Sequence, residues 1–298
     1  MTKRIEGIVT ALVTPFNLDG ELDENALHRI VEFQIEKGVH GLYPCATFGE
    51  GPTMTVEQRK RVAEIVIEKS GRRVPVVVQV GASDASTTIE LSRHAERVGA
   101  DAVAVVTPYY YNPDEEALVE YYKQVSENVA IPVFIYNIPY RTTVNITPDI
   151  ALKIVAAAPR VQGIKDSSRD FMQVLEYIEK LPRDFIILNG ADAYILPALI
   201  MGVSGAMSAY SNAFPELYVS LYDLFKRGDY KKAREVQFKI NLTRRMLRLH
   251  AQPFIQPVKE AMKMRGIPAG FVKRPLRPMT EEEIDDLRSK LKKLDLLR

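Results

Sequence analysis

Eight short runs of apolar, largely β-branched residues recur along the 298-residue chain, at 7–13, 39–45, 74–80, 102–107, 133–136, 161–165, 185–188 and 204–208, and each reads as a strand. Between them lie amphipathic stretches such as 24–37, 56–69, 85–98, 115–127 and 171–180, most of them entered through Asp, Ser or Thr capping residues. The runs start roughly 30 residues apart, and closer together toward the end, which is the spacing of repeated strand–helix units. Eight such alternations predict an α/β fold in which the parallel sheet closes into a (β/α)8 barrel. From about Pro215 onward the pattern is helical, with no further strand. We therefore expect a barrel core over 1–214, with the last barrel helix and an appended C-terminal helical layer over 215–298. No Gly/Ser/Pro-rich linker marks off a separate domain.

Charge narrows the function classes. The 40 basic and 38 acidic side chains leave a formal charge of +2, too balanced to argue for a nucleic-acid or membrane-surface partner. The single cysteine, Cys45, rules out an internal disulfide and a two-cysteine redox or zinc motif. His28, His40, His94 and His250 are scattered without metal-ligand spacing, so no metal is expected. Neither a Gly-x-Gly-x-x-Gly turn nor a Walker-type loop is present, and no cofactor is expected. The first residues are basic but lack an apolar signal core, and no apolar run approaches the ~18 residues of a membrane span. A cytoplasmic protein acting on a small molecule is the expectation.

In a barrel of this kind chemistry belongs at the C-terminal ends of the strands. Those ends read 44–52 after the second strand, 107–113 after the fourth, 136–142 after the fifth, and Lys165-Asp166 after the sixth. A lysine that closes a buried strand is either paired or reactive, because burial strips its proton. Lys165 is thus a Schiff-base nucleophile or the partner of Asp166 or another carboxylate. Tyr136, which ends the preceding strand, is a proton shuttle beside it or an aromatic core residue with a wet tip. The turn at 46–50, with Thr47, offers backbone N–H groups to a carboxylate or is a plain strand-to-helix turn. Tyr109, Tyr110 and Tyr111 serve packing, a subunit contact or proton transfer equally well.

Taken together, these residues resemble the dihydrodipicolinate synthase and N-acetylneuraminate lyase family, pyruvate-dependent Schiff-base lyases on a TIM barrel. The motifs that carry the resemblance are Gly7-Ile-Val-Thr-Ala-Leu-Val-Thr-Pro-Phe16, Thr47-Phe-Gly-Glu50, Thr107-Pro-Tyr-Tyr110, Tyr136-Asn-Ile-Pro139, Gly163-Ile-Lys-Asp166 and Asn189-Gly-Ala-Asp192. They span nearly the whole chain, in order. The resemblance implies that Lys165 forms an imine with pyruvate, that Tyr136 is the proton-relay phenol, and that Thr47 links it to Tyr110, which in many relatives reaches into a neighbouring subunit's site. It also implies a homotetramer built as a pair of dimers.

The resemblance further marks Phe48, Arg141, Gly190 and Met207 as substrate-binding. Family members commonly read Gly-Thr-Thr-Gly-Glu or Gly-Ser-Thr-Gly-Glu where Ala46, Thr47 and Phe48 stand here, so one side-chain donor to the carboxylate is missing. Arg141 falls where the synthases place an arginine near the aldehyde's carboxylate. The partners implied are pyruvate or another 2-keto acid and an aldehyde. The activity is synthase-like, a 2-keto-3-deoxygluconate-type aldolase, or a hydratase-aldolase or dehydratase; a non-catalytic 2-keto-acid-binding barrel is the reading from another class. Arg59 and Thr87 occupy positions where lysine-inhibited relatives hold their effector, which implies no feedback by lysine.

Overall fold

The strands expected from the β-branched runs form one closed parallel ring in the computed structural model, which describes residues 4–248 and 254–297; His250 lies outside them. They are β1 (Gly7–Thr10), β2 (Gly41–Leu42), β3 (Val77–Gln79), β4 (Ala102–Val106), β5 (Val133–Asn137), β6 (Val161–Asp166), β7 (Ile186–Asn189) and β8 (Gly205–Ser208). Their order is β2-β1-β8-β7-β6-β5-β4-β3. A parallel bridge from Leu42 to Val76 closes the ring between β2 and the segment entering β3. This is the (β/α)8 barrel predicted from the eightfold alternation.

The helices of the ring are α1 (Glu24–Glu36), α2 (Val56–Ser70), α3 (Ala85–Arg97), α4 (Glu115–Glu127), α5 (Pro148–Ala157), α6 (Phe171–Lys180), α7 (Ile195–Met201) and α8 (Pro215–Lys226). Asp23, Thr55, Asp84, Asp114, Thr147 and Asp170 cap the first six, each side chain accepting from backbone N–H groups of the first turn. The N-terminal signals in the sequence are therefore used as read.

The pleat sorts each strand into two cores. On β4, Ala102, Ala104 and Val106 point into the barrel, while Val103 and Val105 pack outward against the helices. On β5, Phe134 and Tyr136 point inward and Val133 and Ile135 outward. Phe134 fills the barrel where β6 has Gly163; a Cβ on Gly163 would run into the Phe134 ring. Large and small residues thus alternate around the interior, as close packing requires.

The ladders are shorter than the apolar runs. β1 stops at Thr10 rather than 13, and β2 keeps two residues of the seven expected, because the chain diverges into loops at the mouth. Isolated bonds still hold the top together there, from Ala11 N to Ser208 O and from Leu12 N to Tyr43 O. α5 and α7 were not among the amphipathic stretches singled out. ILPALIM has no polar side chain, and PDIALKIVAA has only the narrow strip of Asp149 and Lys153, so neither carries a broad polar face.

Beyond α8 the chain forms α9 (Tyr230–Met246), α10 (Gln256–Met264) and α11 (Glu281–Lys293). Two buried polar connections set this layer on the barrel mouth. On α9, Gln237 donates to Asp192 O and accepts from Leu196 N, and Asn241 donates to Ala193 O. On α10, the fully buried Lys259 ammonium donates to Thr14 O, Phe271 O and Glu50 Oε1, the last at 2.6 Å.

Candidate active site

Strand geometry separates Lys165 from Asp166. Adjacent strand residues face opposite sides, so Lys165 points into the barrel while Asp166 points out, bonded to Asn137, Ser168 and Gln173. Asp166 is not its partner. The Lys165 ammonium lies 4.1 Å from the Tyr136 ring centre and 4.8 Å from that of Tyr43, with only 4% of the residue exposed. Burial brings its pKa down from 10.5 to about 7, partly opposed by the Asp192 carboxylate. A neutral, nucleophilic amine is therefore populated near neutral pH.

Register places Tyr136 directly beside Lys165 on neighbouring strands. Its hydroxyl lies 3.0 Å from Thr47 Oγ1, so two hydroxyls form a chain next to the amine. Burial pushes the Tyr136 phenol well above its ordinary value, which keeps it protonated. Thr47 stands on the turn after β2, where Glu50 N donates to Thr47 O and Gly51 N to Ala46 O. Glu50, in the left-handed region at φ 58°, anchors this turn through Lys259 and the backbone N–H of Lys273. The Thr47 hydroxyl is thereby tied to the C-terminal layer.

Lys165, Tyr136, Thr47, Phe48, Gly190 and Met207 line one cavity of about 360 Å³ at the mouth. Phe48 stands edge-on to Tyr210 and Phe254, with centroids 5.3 and 5.7 Å away. Gly190 is needed for close approach, since a Cβ there would collide with Ser167 Oγ and the Asp166 carbonyl. Two expected residues lie elsewhere. Arg141 lines an adjoining cavity of about 290 Å³, its guanidinium 4.4 Å from the Phe254 ring. Tyr110 is 87% exposed at φ 83° and stacks edge-on with Tyr111; within one chain it does not meet Thr47.

Several lining residues were not picked out in the sequence. Asp192, already within the Asn189-Gly-Ala-Asp192 motif, accepts from Ser208 Oγ and the Tyr218 hydroxyl. Burial raises its pKa from 3.8 to about 6, against the opposing pull of those hydrogen bonds and of Arg244 and Lys165. Its place just beyond a strand end was the available signal. Arg169, Arg244 and Arg248 also line the cavity. Arg244 and Arg248 lie beyond the eighth strand, on a helical layer whose docking no local pattern reveals.

Among the described residues there is no cluster of His, Cys, Asp and Glu suited to a metal ion, and no helix is long and apolar enough to cross a membrane.

The model of the dihydrodipicolinate synthetase family matches residues 4–294. The 4-hydroxy-tetrahydrodipicolinate synthase of Methanopyrus kandleri is 37% identical over 295 residues, covering 99% of this chain and 98% of that one. The enzyme of the same name from Methanothrix thermoacetophila is 38% identical over 289 residues, covering 97% and 96%. Among solved structures, YagE, a prophage protein of the dihydrodipicolinic acid synthase family from E. coli K12 in complex with pyruvate, superposes with a TM-score of 0.95 at 32% identity, covering 99% of this chain and 100% of YagE. CdNal from Clostridium difficile in complex with mannosamine gives 0.93 at 26% identity, covering 98% and 100%. With all but the outermost residues matched by one family model and the barrel superposing nearly end to end, the chain belongs to the dihydrodipicolinate synthetase family.

Proposed function

We propose that the protein is a pyruvate-dependent Schiff-base lyase, closest in kind to the 4-hydroxy-tetrahydrodipicolinate synthases, in which Lys165 is the nucleophile. The observation that carries this reading is a buried lysine with its pKa near 7, unpaired with Asp166 and in register with a phenol. Neutral Nζ attacks C2 of pyruvate, the carbonyl oxygen is protonated, and loss of water leaves the imine. Loss of a methyl proton gives the enamine, whose C3 attacks the aldehyde carbon while the aldehyde oxygen takes up a proton. Cleavage is the reverse.

Tyr136 and Thr47 form the relay for these protons. The backbone N–H groups of Thr47 and Phe48 hold the pyruvate carboxylate in the turn, and Gly190 and Met207 shape the floor. Tyr110 completes the relay from a second copy of the chain, entering through the adjoining cavity, which is lined by both Thr47 and Tyr136. A homotetramer in the cytoplasm is the assembly and compartment that fit this reading.

A sugar-acid aldolase is the second reading. Phe48, in place of a hydroxyl residue, favours it, as does Arg141, which lines the adjoining cavity rather than that of Lys165.

Borohydride reduction with pyruvate, followed by intact mass and peptide mapping, tests the chemistry. A pyruvate adduct on Lys165 is expected, and its absence from folded protein overturns the reading.

A further inference from the structure

We propose that Tyr43 is a further catalytic residue of this site: the face of its ring supports the positive charge that Lys165 Nζ acquires when pyruvate is bound as the imine. This rests on the Schiff-base reading and adds a residue to it.

The need follows from the chemistry. The amine reacts in its neutral form. The carbinol oxygen then takes up a proton, the C–O bond breaks as water leaves, and the Nζ lone pair closes the C=N bond, so the positive charge ends on nitrogen. That cation forms on a residue only 4% exposed. Among the described residues Asp192 is the one carboxylate acting on it, and Asp192 is already engaged by Ser208 Oγ and the Tyr218 hydroxyl. Two rings face the nitrogen instead. Nζ lies 4.8 Å from the Tyr43 centroid and 4.1 Å from that of Tyr136, inside the ~6 Å over which a ring face attracts a cation. The rings stand at 81° with centroids 5.9 Å apart, so they form a corner around Nζ. A ring face attracts a cation more weakly than a carboxylate in the same place, so it supports the imine cation without locking the free amine in its protonated form.

The placement of Tyr43 points to its ring rather than its hydroxyl. The residue follows β2 in the barrel interior, where its N–H donates to Thr10 O at 2.8 Å and its carbonyl accepts from Leu12 N at 3.0 Å, so β1 fixes the backbone that carries the ring. β4 brings only Ala102, Ala104 and Val106 into the same interior cluster, small side chains that leave room for a fully buried aromatic. The Tyr43 hydroxyl is buried with no hydrogen-bond partner among the described residues, so no hydrogen bond accounts for a tyrosine here. Tyr136 differs, since its hydroxyl is bonded to Thr47.

The test replaces Tyr43 by phenylalanine, by 4-fluoro-, 3,5-difluoro- and 3,4,5-trifluorophenylalanine, which drain the ring face of electrons with little change of shape, and by leucine. Cyanoborohydride, which reduces the cationic imine, reads the imine formed at graded pyruvate concentrations. At about pH 9 Lys165, with its pKa at about 7, is neutral before it reacts and the charge is new. Apparent affinity for pyruvate is therefore expected to fall stepwise with fluorine count, by about 2- to 30-fold across the series, and at least as far in Tyr43→Leu. At about pH 6 the amine is already an ammonium, reactant and product carry the same charge, and the slope is expected to shrink. Asp192 also titrates at about 6, while Arg169, Arg244 and Arg248 keep their charges, so each protein is compared with Tyr43→Phe at the same pH.

Packing is read separately, as the urea midpoint at about pH 9, where no cation faces the ring. A slope that is absent at the higher pH, equal at both, or matched by falling midpoints overturns the inference, as does a Tyr43→Leu protein that traps pyruvate as the parent does. A parent that traps none overturns the Schiff-base reading and this inference with it, which tells the two failures apart. Should the trifluorinated protein fail to fold, the mono- and difluorinated ones carry the slope.

Discussion

Lys165 and Asp166 are neighbours in sequence and strangers in space, because the strand pleat sends one into the barrel and the other toward α6. That separation leaves the amine buried among aromatic rings, with Asp192 the one carboxylate supporting its charge among the described residues. Its pKa near 7 predicts that the rate of borohydride-trapped imine formation rises with pH through about 7, as the neutral amine becomes the major form; a flat profile between pH 6 and 8.5 would remove the titrating lysine from the step. The same burial costs stability. Between about 7 and 10.5 the unfolded chain holds a proton on this lysine that the folded chain does not, so stability from this group rises with pH, and below 7 the penalty is complete. At about 1.4 kcal/mol per pH unit the cost of burying the charged form is roughly 5 kcal/mol. Lys165→Met is therefore expected to abolish trapping yet raise the urea midpoint at pH 7, with a smaller gain at pH 9.5. A variant less stable than the parent at both values would show that the lysine is not penalised. Tyr136→Phe keeps the ring that packs against Lys165 and removes the hydroxyl bonded to Thr47, so its loss, about 100-fold in kcat, should come with little change in the midpoint; an unaltered kcat would take the phenol out of the relay.

At the scale of elements, the barrel strands and their capped helices were legible because each carries its signal locally: β-branched runs, and Asp or Thr just before an amphipathic stripe. The sites at strand ends followed from the fold, which is how Lys165, Tyr136 and Thr47 could be named before any distance was known. What stayed hidden depends on long-range docking. Gln237 and Asn241 look like ordinary helix-face polar residues until they are seen bonded to the loop after β7, and only that contact brings Arg244 and Arg248 over the cavity. Arg141 shows the converse, since a motif position fixed its place in the chain and left its side chain free to lie on Phe254. The Glu50–Lys259 pair joins the turn carrying Thr47 to α10 with both side chains fully buried. Removing one partner strands a charge in the core, which costs about 3–5 kcal/mol, whereas replacing both by apolar groups is far cheaper. Glu50→Leu and Lys259→Met are each expected to destabilise by that amount in denaturant titrations, and the double variant to recover most of it. Additive losses in the double variant would mean that the pair is not coupled.

For the whole molecule, the exposed Tyr110 is the residue that a single chain leaves unexplained. A tyrosine held at φ 83° on a loop, 87% exposed beside an equally open Tyr111, gains nothing from burial within its own subunit. The cavity that reaches Thr47 and Tyr136 from the side is lined by Gln79, whose buried Oε1 has no hydrogen-bond partner among the described residues. Under the proposed relay in trans, a hydroxyl arriving from a second copy would meet both needs. Arg59, buried in the same region, donates to Gln79 O and Gly81 O and so fixes the backbone beside this cavity. Working in trans makes a sharp prediction. Tyr110→Phe and Lys165→Ala should each be inactive or nearly so as homo-oligomers. When the two are mixed, unfolded and refolded together, half the pairs are mixed, and each mixed pair holds one site with both Lys165 and Tyr110 intact. About one quarter of parent activity should return, with sedimentation showing the same assembly for every sample. If Tyr110 serves its own subunit, a mixed pair contains no complete site and the mixture stays as inactive as its components.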